Sequence, residues 1–120
     1  MSIENVKVQF IRPNGYQNLK EWMDDKNNVY IARAGVIFID KERFPKEASI
    51  FCNPFKIGKD GTRDEVIEKY KTYITKKMEK SIEFKNQLIL LKGKKLGCWC
   101  HPEPCHGDIL LELLTVECQI

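Results

Sequence analysis

The chain has 120 residues, 42% hydrophobic and 31% charged, enough for one domain around one core and too apolar for a disordered chain. Twenty basic against 17 acidic side chains leave a net charge of +3, too mild to argue for a nucleic-acid binder. Lys76, Lys77, Lys80 and Lys85 cluster, but Glu79 and Glu83 sit among them, as on a solvated helix face.

Val6 to Ile11 alternates apolar and polar residues, the pattern of a half-buried strand, and runs into a turn at Arg12-Pro13-Asn14-Gly15. Leu19 to Met23 reads as one helical turn. Val29-Tyr30-Ile31-Ala32 and Val36-Ile37-Phe38-Ile39 read as two strands around Arg33-Ala34-Gly35, either a hairpin or one bulged strand. Lys41 to Asn53 reads as loop. Thr62-Arg63-Asp64-Glu65 is a capping box, and Val66, Ile67, Tyr70, Tyr73, Ile74 and Met78 follow at helical spacing. Ser81 opens a second helix from Ile82 to Leu91, closed by Gly93. Lys94 to Cys100 reads as a short strand. Asp108 to Leu114 reads as a final helix with Ile109, Leu110, Leu113 and Leu114 inward. The order predicts a single α/β domain over residues 1–120, with a mixed sheet of about four strands flanked by helices.

The chain opens without an apolar signal region, and no apolar run is long enough to span a bilayer. Five cysteines, at 52, 98, 100, 105 and 118, are an odd set with three inside eight residues. They read as reduced thiols of a cytoplasmic protein rather than a disulfide framework.

Gly97-Cys98-Trp99-Cys100-His101-Pro102-Glu103-Pro104-Cys105-His106-Gly107-Asp108 concentrates the reactive chemistry. On a strand, Cys98 and Cys100 share one face and Trp99 takes the other. Two prolines stiffen the loop. Cys105, His106 and Gly107 open a helix, where free amides and the dipole favour anions and lower a thiol's pKa. Three functional readings follow. Cys98, Cys100, Cys105 and His106 make a legal donor set for zinc, although their nine-residue span lacks the usual two separated knuckles. Cys105 beside His106 makes a candidate thiol nucleophile, although adjacent side chains seldom face each other. An anion or nucleotide pocket built on the Gly107 amides, His106 and nearby arginines is the favoured reading. The plain alternative makes Cys98 and Cys100 small core residues.

Arg12, Arg33 and Arg63 fall at expected element ends, where a planar guanidinium suits phosphate or carboxylate. Asn53-Pro54-Phe55 adds an amide and an aromatic face. Asp108 is a helix cap, a ribose ligand or a general base, with capping favoured. Trp99 reads as core. The predicted site is therefore Cys105, His106 and Asp108 as chemical groups, with Arg12, Arg33, Asn53, Phe55, Arg63 and Gly107 holding a ligand at the strand C-termini.

Val29 to Arg33, Asn53-Pro54-Phe55, Thr62 to Tyr70, and Gly93 to Cys100 running on to Cys105-His106-Gly107-Asp108 resemble a family of small uncharacterised proteins of bacteria, phages and large DNA viruses, catalogued as a domain of unknown function. Ala32 stands where that family usually has glycine before the arginine, which narrows the room beside the backbone. The turn is also similar to a larger group of α/β proteins in which Pro-x-x-Cys-His-Arg opens the last helix. Gly107 replaces that arginine here, so an anion role for it does not carry over. Both resemblances imply a small Rossmann-like, three-layer architecture. Occurrence in phages suggests modified-nucleobase chemistry or neutralisation of a nucleotide signal.

Overall fold

In the computed structural model, residues 2–117 are described, and Cys118 lies outside them. Three strands, β1 (Ser2–Asn5), β5 (Lys95–Cys98) and β2 (Asn28–Tyr30), form a parallel sheet in the order β1-β5-β2. Ser2 and Asn28 both face Lys95, and Asn5 faces Cys98, so the three strands run level. Val6 N–H to Cys98 O (2.9 Å) and Ile31 N–H to Gly97 O (3.0 Å) continue the pairing past the strand ends.

The segment expected as the first strand, Val6–Ile11, is instead the end of β1 and a short helix. The Asn5 carboxamide causes the change. Its oxygen accepts the Lys7 amide at 3.0 Å, an Asx turn that breaks the strand and opens α1 (Val8–Ile11). A 3₁₀ turn, Arg12–Asn14, and α2 (Leu19–Asp24) follow, the latter capped by the Asn18 side chain on the Glu21 amide at 3.0 Å.

A second correction concerns Val36–Ile39. The segment pairs with neither β2 nor the parallel sheet. It supplies β3 (Ile37–Ile39), antiparallel to β4 (Glu42–Phe44), inside the stretch expected as loop. Asp40 and Lys41 join them with φ of 51° and 68°, the left-handed geometry of a two-residue hairpin turn. The sheet expected as one mixed unit of about four strands is thus a three-stranded parallel sheet and a separate hairpin.

The helices follow their start signals closely. Thr62 and Glu65 exchange both capping-box bonds ahead of α3 (Arg63–Lys80). Ser81 caps α4 (Ile82–Ile89) through the Phe84 amide. The last helix, α5 (His106–Glu117), begins two residues earlier than expected.

Strand alternation sends neighbouring side chains to opposite faces, and two cores result. Ile3, Ile31, Leu96 and Cys98 join Tyr70, Ile74, Leu88, Leu110 and Leu114 from α3, α4 and α5. Val6, Tyr30 and Ala32 join Ile11, Leu19 and Trp22 from α1 and α2, with the hairpin's Ile37 and Ile39 packed alongside. Among the described residues no helix is long and apolar enough to cross a membrane.

Gly97 is the point where the second core meets β5. A Cβ there would stand against the Trp22 ring and 2.7 Å from the Val6 Cγ1. Trp22 is fully buried, so the ring has nowhere to withdraw. Gly97→Ala should therefore destabilise the protein by about 1–3 kcal/mol, the usual cost of overpacking. Urea unfolding should show a lower midpoint with an unchanged slope.

Candidate functional site

A cleft of about 460 Å³ opens where the chain leaves the C-terminal ends of β2 and β5. Its size falls within the range of small-molecule sites. Ala32 and Arg33 enter it from β2, Cys98, Trp99 and Cys100 from β5, and Cys105 and His106 from the start of α5. Asn53, Phe55, Lys56 and Ile57 come from the loop before α3, and Arg63 and Val66 from α3 itself.

Directional bonds fix this lining. Trp99 Nε1–H donates to the Tyr30 hydroxyl at 2.7 Å, and that hydroxyl donates to the Arg33 carbonyl at 2.6 Å. Burial pushes the Tyr30 phenol up to about 12, so it keeps its proton at neutral pH. The Arg33 guanidinium reaches across to the carbonyls of Asn53 (3.3 Å) and Phe55 (3.1 Å). Arg63 Nη1 donates to the Pro104 carbonyl at 2.9 Å and ties α3 to the proline-rich loop. Asn5 holds that loop from the far edge, donating to the His101 carbonyl at 2.8 Å.

The charge around the cleft is one-sided. Among the described residues, Arg33, Lys56 and Arg63 line it and no Asp or Glu does. Among the described residues, neither ion pair, Lys46–Glu42 nor Lys71–Glu112, involves these three cations. Both arginines rest on backbone carbonyls, which leaves their charge uncompensated and several N–H donors unused.

His106 is enclosed at the sheet end of the cleft. Its Nε2 lies 2.6 Å from the Ile31 carbonyl, which can only accept, so that nitrogen carries the proton. Its ring meets Tyr70 edge-on at 5.1 Å. Burial lowers its pKa below 6.5 despite the Ile31 carbonyl, which favours the proton. At neutral pH the ring is therefore uncharged, with Nδ1 as its remaining acceptor.

Cys98 and Cys105 meet at the floor, Sγ to Sγ 3.6 Å, both free thiols and both buried. Cys98 ionises more readily than an ordinary thiol because it accepts from the Cys105 S–H and from the backbone amides of Cys100 and His101. Cys105 is held protonated by that partner and by burial, against a weaker pull from the Gly107 amide.

Arg12, Gly107 and Asp108 fall outside the lining, and Asn53 lies in it with its amide already bonded. Arg12 is exposed in the 3₁₀ turn, where Nε donates to the Gln17 carbonyl at 3.1 Å, and it does not line the cleft. Asn53 is buried with both ends of its amide used: Nδ2 on the Val66 carbonyl, Oδ1 on the Phe55 amide. It shapes the loop rather than offering a free amide. Asp108 lies outside the lining, and its carboxylate accepts the Cys105 amide at 3.1 Å, the helix cap. Gly107 faces the sheet, where a Cβ would come within 2.7 Å of the Ile3 Cδ1. The four candidate zinc ligands do not converge: among the described residues no three His, Cys, Asp or Glu side chains are arranged to hold a metal ion. Trp99 and Lys56 line the cleft unforeseen. Lys56 adjoins Phe55, and that adjacency was its one sequence signal.

Residues 15–116 match the model of a domain of unknown function, DUF4326, and the chain belongs to that family. An uncharacterised 12.4 kDa protein in the nrdA-td intergenic region of Enterobacteria phage T4 is 39% identical over 60 residues, which cover 49% of this chain and 56% of the phage protein. The match thus spans about half of each. No solved structure matches.

The uncharged His106 makes stability depend on pH. Its pKa is lower in the folded chain than in the unfolded one, so the unfolded chain binds more protons as pH falls below about 6.5. The contribution is complete above that value and is lost progressively beneath it. Denaturant midpoints at about pH 7 and about pH 5 should differ less for His106→Gln than for the parent chain.

Proposed function

We propose that the cleft binds a small anionic ligand of the nucleotide or nucleoside type, within a Rossmann-like three-layer domain. The carrying observation is the lining itself: Arg33, Lys56 and Arg63 with no carboxylate among them. Guanidinium groups anchored on backbone carbonyls, with donors left over, select phosphate or carboxylate over cations and neutral solutes. Phe55 and Trp99 add aromatic faces for a base, and Ala32, Val66 and Ile67 supply apolar surface. The position at the C-terminal ends of parallel strands is where open α/β sheets bind ligands, and the two cores on opposite faces of the sheet support the three-layer reading.

In this reading the protein sequesters a nucleotide signal or takes part in modified-nucleobase metabolism, in a cytoplasmic setting that suits its free thiols. His106 accepts a hydrogen bond from the ligand through Nδ1. Arg33 and Arg63 hold the anionic group.

Thermal-shift screening against nucleoside mono-, di- and triphosphates, with inorganic phosphate as control, tests the proposal. A nucleotide that binds the folded chain raises the melting temperature, by an amount that grows with the logarithm of its concentration relative to its Kd. Arg63→Gln should weaken binding by about 10- to 100-fold, the loss of one charge-assisted bond. Failure of every nucleotide to stabilise the protein, or parent-like binding by both Arg33→Gln and Arg63→Gln, overturns it.

A further inference from the structure

Anion binding leaves the sulfurs on the cleft floor unexplained. Cys98 ends β5 and Cys105 precedes α5, and the chain between them makes a loop that returns the second sulfur to the first. The two atoms lie 3.6 Å apart, against about 2.05 Å in a disulfide bond. No third ligand joins them, so they do not form a metal site among the described residues. Both line the cleft, which gives a small molecule its route to otherwise buried atoms.

We infer that Cys98 and Cys105 are a redox-active dithiol, which a low-molecular-weight disulfide such as oxidised glutathione converts into an intramolecular disulfide. Cys98 takes the role of attacking thiolate, since the Cys105 S–H at 3.6 Å and the neighbouring amides of Cys100 and His101 favour its ionised form. Cys98 attacks one sulfur of the small disulfide, whose S–S bond breaks and releases one thiol. The Cys105 sulfur then attacks Cys98 in the mixed disulfide, forms the internal bond and expels the second thiol. The two protons lost by the protein leave on the two released thiols. The protein is oxidised by two electrons and the small disulfide is reduced by two.

Cys100 is the built-in comparison. It is partly exposed in the same cleft, and no hydrogen bond links its sulfur to either partner among the described residues. The pairing therefore follows geometry rather than exposure.

The experiment uses the full chain carrying Cys52→Ser, Cys100→Ser and Cys118→Ser, incubated with oxidised glutathione, quenched with iodoacetamide and weighed intact. The expected product has lost about 2 Da, the two hydrogens, carries neither alkyl group nor glutathione, and reverts with dithiothreitol. Cys105→Ser, added to that background, should accumulate a glutathione adduct on Cys98, and Cys98→Ser in the same background should accumulate far less on Cys105. The oxidised parent chain, cut after Trp99, should yield a linkage that fragment-ion sequencing across Glu103-Pro104 places between Cys98 and Cys105, which keeps the test independent of how the variants fold. A natively folded triple variant that alkylates at both sulfurs after equilibration overturns the inference. So does a parent-chain bond that maps to Cys100. Neither result bears on nucleotide binding, which is read separately by thermal shift.

Discussion

β5 is hydrogen-bonded on both edges, to β1 and to β2, and both cores are laid against that central strand. A strand paired on both edges cannot shift by one residue without exchanging its two faces. Leu96 and Cys98 are committed to one core and Gly97 to the other. Trp22 fills the space that Gly97 leaves, and α2 is held at the distance that this contact allows. The end of β5 is therefore a fixed point. The cleft is built outward from it, through Cys98, Trp99 and Cys100.

The electrostatic character of the cleft comes from where its cations are anchored. An arginine beside a carboxylate has its charge answered; an arginine resting on carbonyl dipoles is oriented and keeps its charge. Arg33 and Arg63 are both of the second kind. Carbonyl anchoring also reduces the side-chain entropy that a ligand would otherwise have to freeze. His106 belongs to the same scheme as an uncharged group, because enclosure beside Tyr70 and the Ile31 carbonyl disfavours its protonated form.

Local chemistry was the legible part of the sequence. Thr62 with Glu65, and Ser81, announce helices whose apolar faces follow at regular spacing, and α3 and α4 start where those signals stand. The grouping of Cys105 and His106 with Arg33, Phe55 and Arg63 was legible too, because each falls at the end of an element that the pattern located. What escaped depended on partners distant in the chain or on unusual backbone. Asn5 ends β1 early through its own side chain, so six alternating residues after it imitated a strand. Asp40 and Lys41 hold positive φ without a glycine to advertise the turn, and β4 read as loop. Alternation placed Trp99 away from Cys98, but β5 stops at Cys98, and beyond it the side chain is free to face the cleft. Asn53 looked available because its backbone partners, Val66 and Phe55, are invisible to composition, whereas the cap favoured for Asp108 is the bond that its carboxylate makes with the Cys105 amide.

The chain from Trp99 through Tyr30 to Arg33 has a built-in direction. An indole nitrogen only gives a hydrogen, and a carbonyl oxygen only receives one. Both ends are thus asymmetric, and the phenol between them has a single rotor setting that satisfies both neighbours. Reversal is impossible, so no second arrangement of equal energy competes. A side chain from the last residue of an edge strand in this way acts as a one-way spacer, setting the backbone of Arg33 from the indole of Trp99 without using charge. The two walls of the cleft are registered against each other by the valence of three polar atoms.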